Sequence, residues 1–318
     1  MYIDFIKQLH NSEAWSQDSL LPDFAQKKEN TIYPFLMTKE DASQKNIWWF
    51  DDLVKLFELG KDLGVIKDLI VHGSFGDFTQ TNFSDLEISV FVNESVFSSL
   101  GKKMLLSRWV RHQLNKLILK VDPLQHHGAF FLWEMLISNY DERILPVCAY
   151  ETCWSVTGNS LEFQIIKNEK IMTEESRRRL TLTLSNLASP GKHFFRYGIS
   201  NYSAKRYLSN IMLIPAFFYQ SQGLKLNKKK AIEKFLKEEI GDFSSALIVA
   251  AQLRDCWPET SNILRSLRPL LVSESIPQGR ADILLSSMFR QGSVREKVKN
   301  DVMPYVFAGA NELMSKFL

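Results

Sequence analysis

The sequence contains little cysteine and no apolar run long enough to cross a bilayer. It has 3 cysteines in 318 residues, and none form a Cys-x-x-Cys pair. An odd number in this spacing is typical of buried thiols in a reducing compartment, not of a disulfide framework. The most apolar stretch, residues 211–219, is too short for a membrane span and contains Pro215. Because residues 1–10 also lack the apolar core of a secretory signal, we predict a cytoplasmic protein without membrane contact.

The sequence also lacks a strong excess of charge of either sign. Its formal net charge is +3, from 39 Lys and Arg against 36 Asp and Glu. Nucleic-acid-binding proteins usually concentrate basic residues on one face, so this balance does not require a nucleic-acid partner. With 45% hydrophobic residues, the chain is long enough to form two domains, each with its own core, or one domain with a large helical appendage.

A strand followed by a tight turn is predicted near the end of the first quarter of the chain. Residues 69–71 are apolar and mostly β-branched, which is typical of a buried strand. Residues 72–77 are rich in small residues and predict a turn. There, Gly73 lets the backbone approach a ligand closely, and Ser74 adds a hydroxyl beside exposed N–H groups. Such a concave turn suits phosphate oxygens.

Two carboxylates are predicted on one face of the next strand, residues 84–92. Asp85 and Glu87 alternate with apolar Leu86 and Ile88, and the period of two places both acids on the same face. Neighbouring carboxylates repel each other unless a cation neutralises them. Hard divalent ions prefer such oxygen ligands and keep positions open for phosphates. Asp85 and Glu87 are therefore the predicted ligands of Mg²⁺ or Mn²⁺.

At these residues the chain resembles the nucleotidyltransferase superfamily related to DNA polymerase β, and especially its small-molecule and antibiotic-modifying members. The family signature is an apolar residue, Gly, then Gly or Ser, a short gap, and Asp, apolar, Asp or Glu, apolar. Gly73, Ser74, Asp85 and Glu87 match it. The resemblance implies an α+β fold, with a nucleotidyltransferase-type mixed sheet, flanking helices and a helical domain after it. It also implies that Gly73 and Ser74 bind a nucleoside triphosphate such as ATP.

The expected domains are residues 1–155 and 156–318. The first is predicted to be the nucleotidyltransferase domain, with an N-terminal helical extension indicated by apolar residues at helical spacing in residues 3–9. The second is predicted to be a helical domain that closes over substrate and nucleotide. The polar stretch of residues 152–160 supplies the boundary between them.

A run of lysines is predicted at the start of a helix in the second half. Asn227 is a candidate N-cap, and residues 228–230 place three cations where they oppose the helix dipole. A phosphate partner would relieve that conflict. The family also carries a Gly, then a small residue followed by Lys and Ala, which resembles Gly223, Asn227, Lys228 and Ala231. The resemblance implies that Lys228 approaches the triphosphate, whereas the alternative is a solvated lysine run.

The third catalytic group is left open by the sequence. Residues 124–134 predict a third strand, where active members of the family usually carry another carboxylate, but no apolar–Asp–apolar pattern occurs there. The candidates are Asp122, His126, His127 and Glu134. His127 is the chosen base, because the reference pKa of histidine lies near neutral pH. The alternative is that both histidines are structural.

The leading hypothesis is an enzyme that moves a nucleoside monophosphate from a triphosphate to an acceptor hydroxyl. A small molecule is the first choice of acceptor, and a protein hydroxyl or an RNA end is the next. The alternative is a catalytically inactive nucleotidyltransferase-like module that binds a nucleotide or a protein. An RNA-binding protein would show a steep dependence of affinity on salt.

Overall fold

The described chain divides into two compact units, which are considered separately. The first contains the described residues of 26–80, 84–167 and 262–269, and the second those of 81–83, 169–259 and 292–317. The predicted N-terminal helical extension falls on residues 1–25, outside the described chain. Altogether the computed structural model describes residues 26–143, 145–167, 169–195, 199–238, 241–259, 262, 265–267, 269 and 292–317.

The first unit mixes strands and helices. Its strands are β1 (Gln26–Ile32), β2 (Phe35–Leu36), β3 (Ile66–His72), β4 (Glu87–Val92), β5 (Phe130–Leu132), β6 (Trp154–Ser155) and β7 (Leu161–Lys167). Its helices are α1 (Lys39–Gln44), α2 (Phe50–Asp62), α3 (Gly73–Gly76), α4 (Leu100–Trp109), α5 (Asn115–Val121) and α6 (Glu134–Ser138), with a π-helical turn at Val110–Leu114 and 3-10 turns at Glu94–Val96 and Val147–Tyr150. The predicted α+β class is confirmed at this level.

Five strands form a mixed sheet in the order β2-β6-β3-β4-β5. Strand β4 is antiparallel to β3 and parallel to β5. In the β3–β4 register Glu87 lies opposite His72, the residue before the Gly73 turn. The sheet therefore brings the predicted phosphate turn and the predicted acidic strand to the same end.

A second, two-stranded sheet pairs β1 with β7 in antiparallel orientation. Because this pairing ties residues 161–167 to residues 26–32, the first unit continues past the predicted boundary at 155/156. The compact units divide after residue 168 instead.

The two faces of the central sheet pack against different partners. Leu69, Val71 and Ile88 are fully buried in a core that includes Leu53 of α2 and Leu114 of the π-helical turn. Complete burial of such a side chain contributes about 1.5–3 kcal/mol to folding. The alternate residues of the strands face another core, formed by Ile70, Leu132, Tyr140, Tyr150 and Phe163. Period-2 alternation along β3 therefore separates the two layers.

Every described element of the second unit is helical. The helices are α7 (Glu169–Ala188), α8 (Pro190–His193), α9 (Asn201–Ile211), α10 (Ile214–Gln220), α11 (Lys228–Lys237), α12 (Gly241–Asp255), α13 (Gly292–Lys297) and α14 (Met303–Phe317), with a π-helical turn at Val298–Val302. The N-cap predicted for α11 is confirmed, because Asn227 Oδ1 accepts a hydrogen bond from the Lys230 amide at 2.9 Å.

The segment 81–83 belongs to this helical unit although its neighbours in sequence belong to the first. The Phe83 ring is buried edge-on against Trp257, with ring centroids 5.0 Å apart. Lys205 Nζ lies 5.6 Å from the same ring. Residues 81–83 therefore pack within the helical unit.

Within the described residues, no helix combines the length and the apolar character needed to cross a membrane.

Candidate metal and nucleotide site

The Gly73 turn begins where β3 ends. Residues 73–76 make a single helical turn, α3, directly after the extended residue His72. Gly73 has a φ of +68°, a backbone conformation that is unfavourable for residues with a Cβ. A Cβ on Gly73 would also lie 1.8 Å from Glu87 Oε2. The turn therefore requires glycine both for its backbone angle and for the space taken by the Glu87 carboxylate.

The two predicted carboxylates lie at the start of β4. Glu87 is the first residue of the strand and Asp85 lies in the segment just before it, not within the strand as predicted. His127 Nε2 lies 3.5 Å from Asp85 Oδ2 and 3.8 Å from Glu87 Oε1, so both acids reach the same imidazole. The Asp85 and Glu87 side chains are 13% and 25% exposed, which leaves them partly open to solvent ions.

Two neighbouring histidines complete this cluster. His126 Nδ1 lies 3.3 Å from Asp85 Oδ1, and the rings of His126 and His127 meet edge to face with centroids 4.7 Å apart. One ligand atom from each of Asp85, His126 and His127 fits within 4.8 Å of the others. Such a mixed oxygen and nitrogen set could hold a divalent ion, and its composition alone does not select magnesium.

Gln125 links His127 to the backbone of Leu86. Its side chain is fully buried, its Oε1 accepts from the Leu86 amide at 3.2 Å, and its Nε2 donates to the Leu86 carbonyl at 3.2 Å. Leu86 is the residue between the two carboxylates. Nε2 also lies 3.2 Å from His127 Nδ1. Sequence reasoning missed Gln125, and the only available signal was an amide inside a predicted apolar strand.

His72 is a second functional candidate that sequence reasoning missed. It is 1% exposed, its Nε2 lies 3.0 Å from Ser89 Oγ, and Ser89 Oγ lies 2.8 Å from the Tyr150 hydroxyl. Burial lowers the pKa of His72 to about 4, because the charged imidazolium is poorly solvated there. The 3.8 Å contact between His72 Nδ1 and Glu87 Oε2 is therefore a contact of a neutral ring with a carboxylate.

The other candidates for the third group have structural partners elsewhere. Asp122 is 5% exposed and its Oδ1 accepts from the Leu124 amide at 3.1 Å, which closes the turn after α5. Glu134 is the first residue of α6 and pairs with Lys67. Of the four candidates, the structure thus places His126 and His127 against Asp85.

The two remaining predicted residues are Ser74, which is half-buried, and Lys228, which is exposed. Ser74 lies in α3, where its carbonyl accepts from the Thr79 amide at 2.9 Å. Lys228 is the exposed first residue of α11, within the helical unit. Its role toward a triphosphate stays a prediction.

No protein-family model, no curated protein and no solved structure matches this chain.

Proposed function

We propose that the protein is a metal-dependent nucleotidyltransferase that moves a nucleoside monophosphate from a triphosphate to the hydroxyl of a small-molecule acceptor. One observation carries the proposal: Asp85 and Glu87 meet at one imidazole, and the carboxylate of Glu87 fills the space beside Gly73. A partly exposed acid pair next to a glycine turn suits the binding of a metal–triphosphate.

Asp85 and Glu87 are the proposed ligands of Mg²⁺ or Mn²⁺. Their carboxylate oxygens suit a hard divalent ion, and both side chains retain some exposure. When bound, such an ion supplies charge neutralisation at the phosphates during nucleotide transfer. Gly73 and Ser74 would contact the phosphates through the turn, and Lys228 would neutralise them.

The acceptor is proposed from its chemistry alone. Transfer needs a hydroxyl that loses its proton as it attacks the α-phosphate, while pyrophosphate leaves with the electron pair of the broken P–O bond. A small hydroxylated molecule is the first choice, and a protein side chain or an RNA end is the alternative. His127 is the base predicted from the sequence for this step, and His126, which lies beside it against Asp85, is the alternative.

An inactive nucleotidyltransferase-like module is the second candidate. The observation that favours it is the composition of the cluster around Asp85, where His126 and His127 lie in place of a third acid. Such a site would bind a nucleotide or a protein without turnover.

A transfer assay separates the two candidates. The full chain is incubated with an α-phosphate-labelled triphosphate, Mg²⁺ or Mn²⁺, and mixtures of hydroxylated small molecules, RNA and protein. We expect label transfer that Asp85→Asn and Glu87→Gln abolish, while Glu94→Gln, an exposed acid just beyond the far end of β4, retains it. Nucleotide binding without transfer would support the inactive module, and transfer by both carboxylate variants would exclude the proposed site.

A further inference from the structure

We infer that Gln125 fixes the tautomer of His127, so that the imidazole presents an N–H group rather than a lone pair to Asp85 and Glu87. His127 then turns an N–H group toward the carboxylates and is not a metal ligand, which disfavours ions that would need its imidazole. The assignment of the ion rests on the proposed function, whereas the tautomer assignment does not.

The orientation of the Gln125 amide is fixed by Leu86. The Leu86 amide donates to Oε1 and the Leu86 carbonyl accepts from Nε2, both at 3.2 Å. Exchanging the oxygen and nitrogen of Gln125 would place donor against donor and acceptor against acceptor. Because Gln125 is fully buried, each lost hydrogen bond would cost about 1–3 kcal/mol.

That orientation determines the proton position on His127. Nε2 of Gln125 has a second proton and lies 3.2 Å from His127 Nδ1. An amide nitrogen donates and does not accept, so Nδ1 must be the acceptor. A neutral imidazole that accepts at one nitrogen carries its proton on the other. The proton therefore lies on Nε2, the atom that faces Asp85 Oδ2 at 3.5 Å and Glu87 Oε1 at 3.8 Å.

A metal-ligating histidine has the opposite arrangement. Its coordinating nitrogen is unprotonated, and its other nitrogen donates to a carbonyl or carboxylate. At His127 the side-chain amide of Gln125 is a donor beside Nδ1. Ligation of a metal through Nε2 would require a proton on Nδ1, and this proton would face the Gln125 N–H. The cluster of Asp85, His126 and His127 has suitable spacing for an ion, but Gln125 opposes the required tautomer. The same tautomer opposes a role for His127 as the proton acceptor.

Gln125→Glu reverses this arrangement with almost no change of shape. A carboxylate at 125 still accepts from the Leu86 amide and now accepts from His127 Nδ1–H, but it loses the donor to the Leu86 carbonyl, which lowers the stability of the variant. His127 Nε2 then offers a lone pair beside Asp85. We expect the variant to bind Co²⁺ or Zn²⁺ at least about tenfold more tightly than the wild type, since outer-shell partners of a histidine ligand change metal affinity by such factors.

The test is the ring ¹⁵N spectrum of His127 in the full chain at mildly alkaline pH, assigned with His127→Gln. The wild type is expected to show the Nε2-protonated tautomer, Gln125→Glu the Nδ1-protonated tautomer, and Gln125→Leu a mixture. Exposed His112 is the internal control in all three. A Co²⁺ titration followed by visible absorption is then expected to show tighter imidazole ligation in Gln125→Glu alone.

The inference is overturned if wild-type His127 is Nδ1-protonated or an imidazolium, or if Co²⁺ binds wild type and Gln125→Glu equally. If Gln125→Glu fails to fold, the wild-type spectrum and Gln125→Leu still decide the tautomer. Neither readout depends on nucleotide transfer. If His127 has the expected tautomer but no nucleotide is transferred, this inference holds and the proposed function fails. If nucleotide is transferred but the tautomer is the other one, only this inference fails.

Discussion

The carboxylate of Glu87 lies where a side chain at residue 73 would begin. A Cβ on Gly73 would be 1.8 Å from Glu87 Oε2, and the φ of Gly73 is +68°. The turn after β3 and the first residue of β4 are thus fitted to each other, and a side chain at residue 73 would displace the Glu87 carboxylate.

Gly73→Ala should disable the site more than it destabilises the fold. The left-handed backbone costs a non-glycine residue roughly 1–3 kcal/mol, and the new Cβ must displace the Glu87 carboxylate. We expect loss of metal–triphosphate binding, measured by calorimetry, with a folded protein by circular dichroism. Gly101→Ala is the matched control, because residue 101 lies in α4 and a Cβ there has only a 3.8 Å contact with Ser99 Oγ. Equal binding by both variants would show that Glu87 need not occupy this position.

Protonation of His72 should destabilise the protein in mild acid. Its pKa is about 4 in the folded state and 6.5 as the reference value, so below pH 6.5 the unfolded chain binds the proton first. The stabilisation is fully present above pH 6.5 and is lost as the pH falls toward about 4, by roughly 3 kcal/mol in total at about 1.4 kcal/mol per pH unit.

Urea unfolding across that pH range measures this loss. His72→Gln cannot titrate, so its free energy of unfolding should depend less on pH than that of the wild type. The exposed His112 supplies the control variant, His112→Gln, which should keep the wild-type dependence. A His72→Gln profile parallel to the wild type would mean that His72 does not carry the effect.

Lys228→Ala should weaken triphosphate binding without harming α11. Lys228 is in the first turn of the helix, where a cation opposes the dipole by about 0.3–1 kcal/mol, so its removal should leave stability unchanged or raised. Loss of one charged phosphate contact, about 1.5 kcal/mol, corresponds to roughly tenfold lower affinity. Lys237→Ala, in the last turn, is the comparison, and equal triphosphate affinities of the two variants would assign Lys228 to the solvated lysine run.

Local patterns in the sequence were enough for the strands β3 and β4, although Asp85 lies just before β4 and not within it. The apolar run of residues 69–71 lies within β3, and the alternation around Glu87 continues as β4. The N-cap at Asn227 was also predicted, because capping depends on residues adjacent in the chain. These features follow from side-chain period and turn chemistry alone.

The third strand shows where local patterns were insufficient. A strand was predicted over residues 124–134, but β5 covers only Phe130–Leu132. Upstream of it, the Gln125 side chain and not the backbone bonds to Leu86. The convergence of His72, His127 and Glu87 likewise depends on the β3–β4 register and the parallel β4–β5 pairing, which no local pattern encodes. The nucleotidyltransferase-type fold itself stays a prediction.

The central claim is that Asp85 and Glu87 together bind a divalent ion with a triphosphate. Calorimetric titration of Mn²⁺ in the presence of a nonhydrolysable triphosphate analogue tests it most directly. Wild type and Glu94→Gln should bind with the same affinity, while Asp85→Asn and Glu87→Gln should each bind at least about tenfold more weakly, because one charged ligand contact of about 1.5–3 kcal/mol is lost. Equal affinity in all four proteins would contradict the claim.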